Sequence, residues 1–209
     1  MSIKIDVIIV PAEMPEQGLA GKAVAVIDVL RASTSMVAAL EAGAKEIIPL
    51  SSIEEATRLA ETMGRETVVL CGERDGNKIN GFDLGNSPLE FTPENVKGKS
   101  LLMATTNGTV AVARAKGAAL IAVGCLINAK ALVPVLTETP ADIILLCSGK
   151  QGRASLEDWR AYLSFHAIEH LGAFLPRALV AEDFHFYGTV LQGTPQPRPR
   201  WKRGVSATN

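Results

Sequence analysis

Cysteine, histidine and aromatic residues are scarce in this chain of 209 residues: three cysteines, three histidines and an aromatic share of 5%. The three thiols, Cys71, Cys125 and Cys147, each sit beside an apolar run, which argues against a disulfide framework and for free thiols in a reducing compartment. An excess of charge of one sign is also lacking. A net charge of −1 and a pI near 6.3 leave no footprint for nucleic acid or an anionic membrane. No apolar run reaches the roughly 18 residues that a membrane-spanning helix needs, and the first residues carry no basic lead into a signal-peptide core. The expectation is a soluble cytoplasmic protein. With 47% hydrophobic and 21% charged residues, the composition is ordinary for a globular chain long enough to build a core.

What is present is organised around residues 21–34, GKAVAVIDVLRAST. The run Ala23 to Ile27 reads as a buried strand that stops on a carboxylate, Asp28. Arg31, Ser33 and Thr34 follow, then an apolar segment that suits a helix over 33–43 capped by Gly43. Ligands of open α/β sheets bind at the carboxyl ends of strands, where the next helix also points its N-terminus. An Asp there holds a metal, an Arg forks onto phosphate, and hydroxyls donate to the same oxyanion. For Asp28 taken alone, a turn cap paired with Arg31 is an equal reading. Similar polar clusters at the ends of later apolar runs favour the ligand site.

Strands are expected at 3–10, 45–50, 67–71, 101–104, 120–123 and 143–147, alternating with helices at 52–63, 110–116 and 128–136. This alternation predicts an α/β fold, a layered sheet with polar loops at its strand ends. Residues 72–88 are rich in Gly, Asn and Asp, and read as one long irregular loop carrying Glu73, Arg74, Asp83, Asn86 and Ser87. Thr105-Thr106-Asn107-Gly108-Thr109 reads either as a hairpin turn or as a turn that presents backbone N–H groups to an anion; the Ala-rich segment after it favours the second. Ser148 and Gly149 open a loop with two cations, Lys150 and Arg153, and Ser155 with Asp158 resembles a capping box.

From Trp159 the composition changes. Most of the aromatics and all three histidines lie there, His166 and His170 one helical turn apart on what reads as a solvated face. Residues 193–209 are rich in Pro and Arg and read as disordered.

The strand-end clusters together offer four carboxylates (Asp28, Glu73, Asp83, Asp158) and three arginines (Arg31, Arg74, Arg153). Carboxylates with few histidines suit Mg2+, and arginines with N–H-rich turns suit phosphate, so metal-assisted hydrolysis of a phosphate ester uses both. The haloacid-dehalogenase template needs Asp-x-Asp and meets Asp28-Val29-Leu30 instead. The cysteine-phosphatase template Cys-x5-Arg fits Cys147 to Arg153 in spacing, with Leu146 where a His is expected.

The segments VIDVLRAST (26–34), CGER (71–74), GFDLGNSP (81–88), TTNGT (105–109) and CSGKQGRASLED (147–158) resemble, in order, the motifs of the 2-phosphosulfolactate phosphatase (ComB) family. The resemblance implies a three-layer α/β/α sandwich around a mixed, largely parallel sheet, forming a single domain over 1–209 with 159–209 divergent. It implies a Mg2+-dependent acid phosphatase that hydrolyses 2-phosphosulfolactate to sulfolactate and phosphate, a step of coenzyme M biosynthesis. Asp28, Glu73 and Asp158 become candidate catalytic residues and, with Asp83, candidate Mg2+ ligands. Arg31, Ser33, Thr34, Arg74, Asn86, Ser87, Thr105, Thr106, Asn107, Gly108, Thr109, Ser148, Gly149 and Arg153 become candidates for binding a small anionic substrate. The altered C-terminus leaves room for a homo-oligomer, or for a phosphate- or sulfonate-binding protein without catalysis; a Cys147-dependent phosphatase is the third reading.

Overall fold

The computed structural model describes residues 3–15 and 18–161, together with the backbone of a two-residue strand at 179–180. The expected helix carrying His166 and His170, and the Pro- and Arg-rich tail, lie outside the described residues.

Two sheets, both largely parallel, carry the chain. The first has the order β1 (Ile5–Ile8), β8 (Ile143–Cys147), β2 (Ala23–Ile27), β7 (Leu120–Gly124), with β9 (Leu179–Val180) antiparallel at the edge. The second has the order β3 (Glu46–Leu50), β6 (Ser100–Ala104), β4 (Val68–Arg74), with β5 (Asn77–Lys78) antiparallel at the edge. Strands β2, β3, β6 and β8 are buried along their whole length, as continuous runs of apolar residues in parallel strands covered on both faces require. Each Val, Ile or Leu buried in this way contributes about 1.5–3 kcal/mol. Pro49 is tolerated within β3 because that strand pairs only with β6, so the missing N–H faces a free edge.

The three-layer α/β/α arrangement is built twice, with a shared middle layer. Helices α1 (Ala32–Glu41) and α4 (Gly108–Arg114) lie between the sheets, where Met36, Val37, Ala111 and Val112 pack with Val24 and Val26 on one side and Ile47 and Leu101 on the other. Helix α5 (Ala129–Glu138) covers the outer face of the first sheet through Leu132 and Leu136. Helix α2 (Ile53–Met63) covers that of the second through Ala56 and Ala60, and Ser52 caps it by accepting the Glu55 N–H at 3.1 Å; the single-turn helix α3 (Pro93–Val96) leads into β6. Sequence patterning marks strands but not which strands pair, so a single sheet was expected where there are two.

The stretch 72–88 is more regular than its composition suggests. Strand β4 runs on through Glu73 and Arg74, which pair with Lys78 and Asn77 across a tight hairpin. Its two turn residues, Asp75 and Gly76, have φ of 52° and 82°, the positive pair that a type I′ turn demands. Helix α4 starts at Gly108, two residues earlier than expected, and the hairpin reading of 105–109 is overturned.

Register brings the polar loops together. Ile27 is paired with Cys147, so Asp28 and Ser148 leave adjacent strands side by side. Gly72 is paired with Ala104, which sets Glu73 beside Thr105 at the same end of the second sheet.

Candidate active site

A cleft of about 210 Å³ opens among these strand ends. Its walls include four carboxylates (Asp28, Glu73, Asp75, Glu157) and two cations (Arg31, Lys150), with Asn86, Thr106, Asn107, Gly149 and Gln151 between them.

Asp28 is buried and firmly held. Its Oδ1 accepts the Ala32 N–H of α1 at 3.1 Å, and its own N–H donates to Ser33 Oγ at 3.0 Å. Burial, then the neighbouring charge of Asp158, pushes its carboxyl up to about 7, with Glu73 adding to the effect. Gly108 makes this approach possible: a Cβ there would fall 2.5 Å from Asp28 Oδ2 and 2.5 Å from the Ala32 Cβ. The α4 backbone therefore rests directly on the carboxylate.

Asp158 stands behind Asp28 and outside the cleft lining. Its Oδ1 accepts the Val29 N–H at 2.8 Å, and its Oδ2 accepts the Gly149 N–H at 3.1 Å and the Ser148 hydroxyl at 3.3 Å. Burial pushes this carboxyl up to about 6, against the pull of those N–H groups. The expected capping box is half formed. Ser155 Oγ accepts the Asp158 N–H at 3.3 Å, while the Asp158 carboxylate turns away to the two strand-end loops.

Glu73 reaches the cleft from the second sheet. Oε1 accepts the Thr106 N–H at 2.6 Å; Oε2 accepts the Gly76 N–H at 2.8 Å and the Thr106 hydroxyl at 3.1 Å. Arg31 closes the opposite side and donates one N–H to the Gly76 carbonyl at 3.1 Å. Asn86 is buried in the wall, and its Oδ1 takes no hydrogen bond among the described residues.

Several sequence-predicted residues have other work. Ser33 and Thr34 spend their hydroxyls on the Asp28 N–H and the Val29 carbonyl, which shapes the strand-to-helix junction. Thr105 and Thr109 bond each other reciprocally, N–H to hydroxyl, at 3.0 Å each way, and both are buried away from the cleft. Ser87 is the N-cap of a short 3-10 turn and shares a capping box with Glu90. Asp83 is an ion-pair partner of Arg65 at 2.8 Å and accepts the Leu70 N–H at 2.8 Å. Burial opposes ionisation there, yet the Arg65 guanidinium and the Leu70 N–H hold the carboxyl below its usual range. Asp83 thus pins its loop to β4, away from the other carboxylates. Arg74 follows Glu73 with the opposite strand facing, and Arg153 is an exposed turn residue; neither lines the cleft. Asp75, Lys150, Gln151 and Glu157 line it in their place. The Asp-Gly turn signal at 75–76 and the Gly149-Lys150 pair at a strand end were the available clues to two of them.

Cys147 is overturned as a nucleophile. It is buried in the α5-covered core with Ile27, Leu132 and Leu145, and burial, then the Asp158 charge, pushes its thiol up to about 12.

The family model for 2-phosphosulpholactate phosphatase matches residues 8–170. The chain belongs to that family. Similar proteins carry the name "Probable 2-phosphosulfolactate phosphatase": one from Caldanaerobacter subterraneus subsp. tengcongensis is 44% identical over 143 residues, 68% of this chain and 59% of that protein. One from Clostridium novyi is 41% identical over 157 residues, 75% of this chain and 66% of that protein. One from Thermotoga petrophila is 43% identical over 155 residues, 74% of this chain and 64% of that protein. The match thus spans somewhat less than two thirds of each of these relatives. The model for Peptidase family M13 also matches residues 146–209, a shorter stretch that lies mostly outside the described residues. In this family member every cleft-lining residue falls within the 8–170 match.

Among the described residues no helix is long and apolar enough to cross a membrane. Among them, too, no three His, Cys, Asp or Glu side chains converge to enclose a metal ion. Mg2+ needs less, because it is held by one or two carboxylates while water and substrate oxygens fill the rest of its octahedron. Asp28 and Glu73 both line the cleft, and the charge of Glu73 adds to the upward push on the Asp28 carboxyl. This pair of oxygen donors fits that hard cation.

Proposed function

We propose that this chain is a Mg2+-dependent phosphatase that hydrolyses 2-phosphosulfolactate to sulfolactate and phosphate, the type of step used in coenzyme M biosynthesis. The observation that carries the reading is the charge of the cleft in a member of this family. Carboxylates outnumber cations four to two, so a strongly anionic ester is repelled unless a divalent cation enters with it. The names of the relatives supply the substrate, and the three free, buried cysteines suit a reducing cytoplasm.

Asp28 and Glu73 would hold the ion. A Mg2+ ion held there would supply Lewis-acid neutralisation of phosphoryl charge. Arg31, on the loop that begins at Asp28, keeps N–H donors beyond the one given to Gly76 and binds the phosphoryl oxygens. Thr106 and Gly76 orient Glu73 through three hydrogen bonds. Asp158 fixes the backbone directly after Asp28, and α4 packs against the Asp28 carboxylate itself. Phosphoryl transfer rests mainly on such positioning and charge neutralisation.

The test is steady-state phosphate release by the purified full chain from 2-phosphosulfolactate, with sulfolactate binding followed by calorimetry. Release at catalytic protein concentration supports the phosphatase. Binding of sulfolactate without any release would instead make the chain a non-catalytic anion binder.

A further inference from the structure

The two cations of the cleft are not equivalent. Arg31 is tied by an N–H to the Gly76 carbonyl at 3.1 Å, across the cleft on the β4–β5 hairpin. Lys150 lines the same cleft, and its ammonium has no ion pair or hydrogen bond among the described residues.

The backbone that carries Lys150 is fixed on several sides. Its N–H donates to the Arg153 carbonyl at 2.8 Å and its carbonyl accepts the Arg153 N–H at 3.0 Å, closing a four-residue turn. Before it, Gly149 donates its N–H to Asp158 and adopts a φ of 64° that brings it close to the Arg153 carbonyl. After it, Gln151 donates its N–H to Asn107 Oδ1 at 2.9 Å and its amide Nε2 to Asp75 Oδ1 at 3.2 Å. Asn107 and Asp75 follow strands of the other sheet, so the turn is anchored at both sides of the cleft. The turn thereby fixes the root of an unpartnered, compact charge at the cleft, while the flexible stem lets the ammonium reach a ligand.

Its position relative to Asp28 decides what it reads. Strands β2 and β8 are neighbours with Ile27 opposite Cys147, so the loops carrying Arg31 and Lys150 leave side by side. Arg31 shares the loop of Asp28, where the phosphoryl group must sit. Lys150 belongs to the neighbouring loop, one strand over. We propose that Lys150 is a specificity-determining residue that takes the second acidic group of the substrate, a sulfonate or carboxylate on the carbon skeleton that bears the ester. This assignment rests on the phosphatase reading, and it divides the substrate's anions between two cations on two loops.

The experiment compares the full-length protein with Lys150→Met and Lys150→Arg on two esters, 2-phosphosulfolactate and isopropyl phosphate, which lacks any second acid. Loss of one charge-assisted contact predicts that Lys150→Met raises KM for 2-phosphosulfolactate by about 10- to 100-fold, with kcat nearly unchanged. On isopropyl phosphate Lys150→Met should lose no more than about threefold, the effect of one positive charge fewer in the cleft, and Lys150→Arg should recover most of the affinity for 2-phosphosulfolactate. An equal loss on both esters would overturn the assignment and make Lys150 a phosphoryl ligand; no loss on either would overturn it outright. Calorimetry separates this from failure of the phosphatase reading. If wild type hydrolyses neither ester, loss of sulfolactate binding in Lys150→Met with inorganic phosphate binding retained still supports Lys150. Absence of sulfolactate binding by wild type would overturn both.

Discussion

Asp158 accepts the Val29 N–H at 2.8 Å, so a residue 129 positions further along the chain fixes the backbone directly after Asp28. The same carboxylate takes the Gly149 N–H and the Ser148 hydroxyl and so joins the ends of β2 and β8. Its work is to hold two loops in register behind the cleft. Asp158→Ala strands a buried N–H on each loop, and the expected cost is about 2–4 kcal/mol of stability. Asp158→Asn keeps the shape but turns an acceptor into a partial donor. Turnover should fall by about 10- to 100-fold through misplacement of Asp28, while the variant stays folded. Denaturant melts with steady-state kinetics of both variants check this.

Gly108 predicts a sharper effect than its size suggests. Alanine there meets Asp28 Oδ2 and the Ala32 Cβ, both at 2.5 Å, so α4 must move off α1 and the carboxylate. Overpacking of this kind costs about 1–3 kcal/mol. Because the displaced atom belongs to Asp28, Gly108→Ala should lose more activity than its change in melting temperature explains. Parallel measurement of both quantities decides it.

How much of this was legible in the sequence differs from residue to residue. Asp28 and Arg31 were readable because a continuous apolar strand stops on them, and that local signal needs no partner. Glu73 followed from the same reasoning. Ser33, Thr34, Thr105 and Thr109 were read as anion donors, but a hydroxyl at a strand end serves a ligand or its own backbone equally well, and in the folded chain these engage the backbone. Only the folded turn shows that Thr105 and Thr109 satisfy each other. Arg153 was counted among the anion-binding cations and Lys150 was not, because nothing local says which of two cations in one loop lines a cleft; the spacing from Cys147 to Arg153 fits a template, yet register buries that thiol on the α5 side of the sheet. The pairing that splits the nine described strands between two sheets and sandwiches α1 and α4 is long-range, and no local pattern encodes it.

Cys147 should therefore be dispensable for chemistry. Cys147→Ala removes one buried sulfur and should cost on the order of 1 kcal/mol, while kcat/KM stays within about twofold of wild type. Thiol-modifying reagents should be slow to act on the native protein, because the thiolate is disfavoured at about 12. A chemical melt beside a phosphate-release assay tests both parts.

The buried carboxylates make stability fall as pH rises in the absence of metal. Asp28 and Asp158 are raised to about 7 and about 6, so the folded state holds protons that the unfolded chain has already lost. Their contribution is complete below about pH 4 and is lost as pH rises through 6 and 7. For Asp28 alone the full swing is about 4 kcal/mol. In EDTA at pH 8, Asp28→Asn should consequently be more stable than wild type, and the difference should shrink at pH 5. Added Mg2+ should raise the wild-type melting temperature more at pH 8 than at pH 5 and leave Asp28→Asn nearly unmoved. Thermal melts at the two pH values, with and without the ion, give all four comparisons.

The central claim is that Asp28 and Mg2+ act together on a phosphate ester, and one measurement addresses it directly. Phosphate release from 2-phosphosulfolactate is followed for wild type and Asp28→Asn, first in Mg2+, then in EDTA, then with Mg2+ restored in excess. Wild-type turnover should be abolished by EDTA and restored by Mg2+, and Asp28→Asn should lose about 1000-fold or more. Turnover that survives EDTA, or survives replacement of Asp28, would contradict that claim.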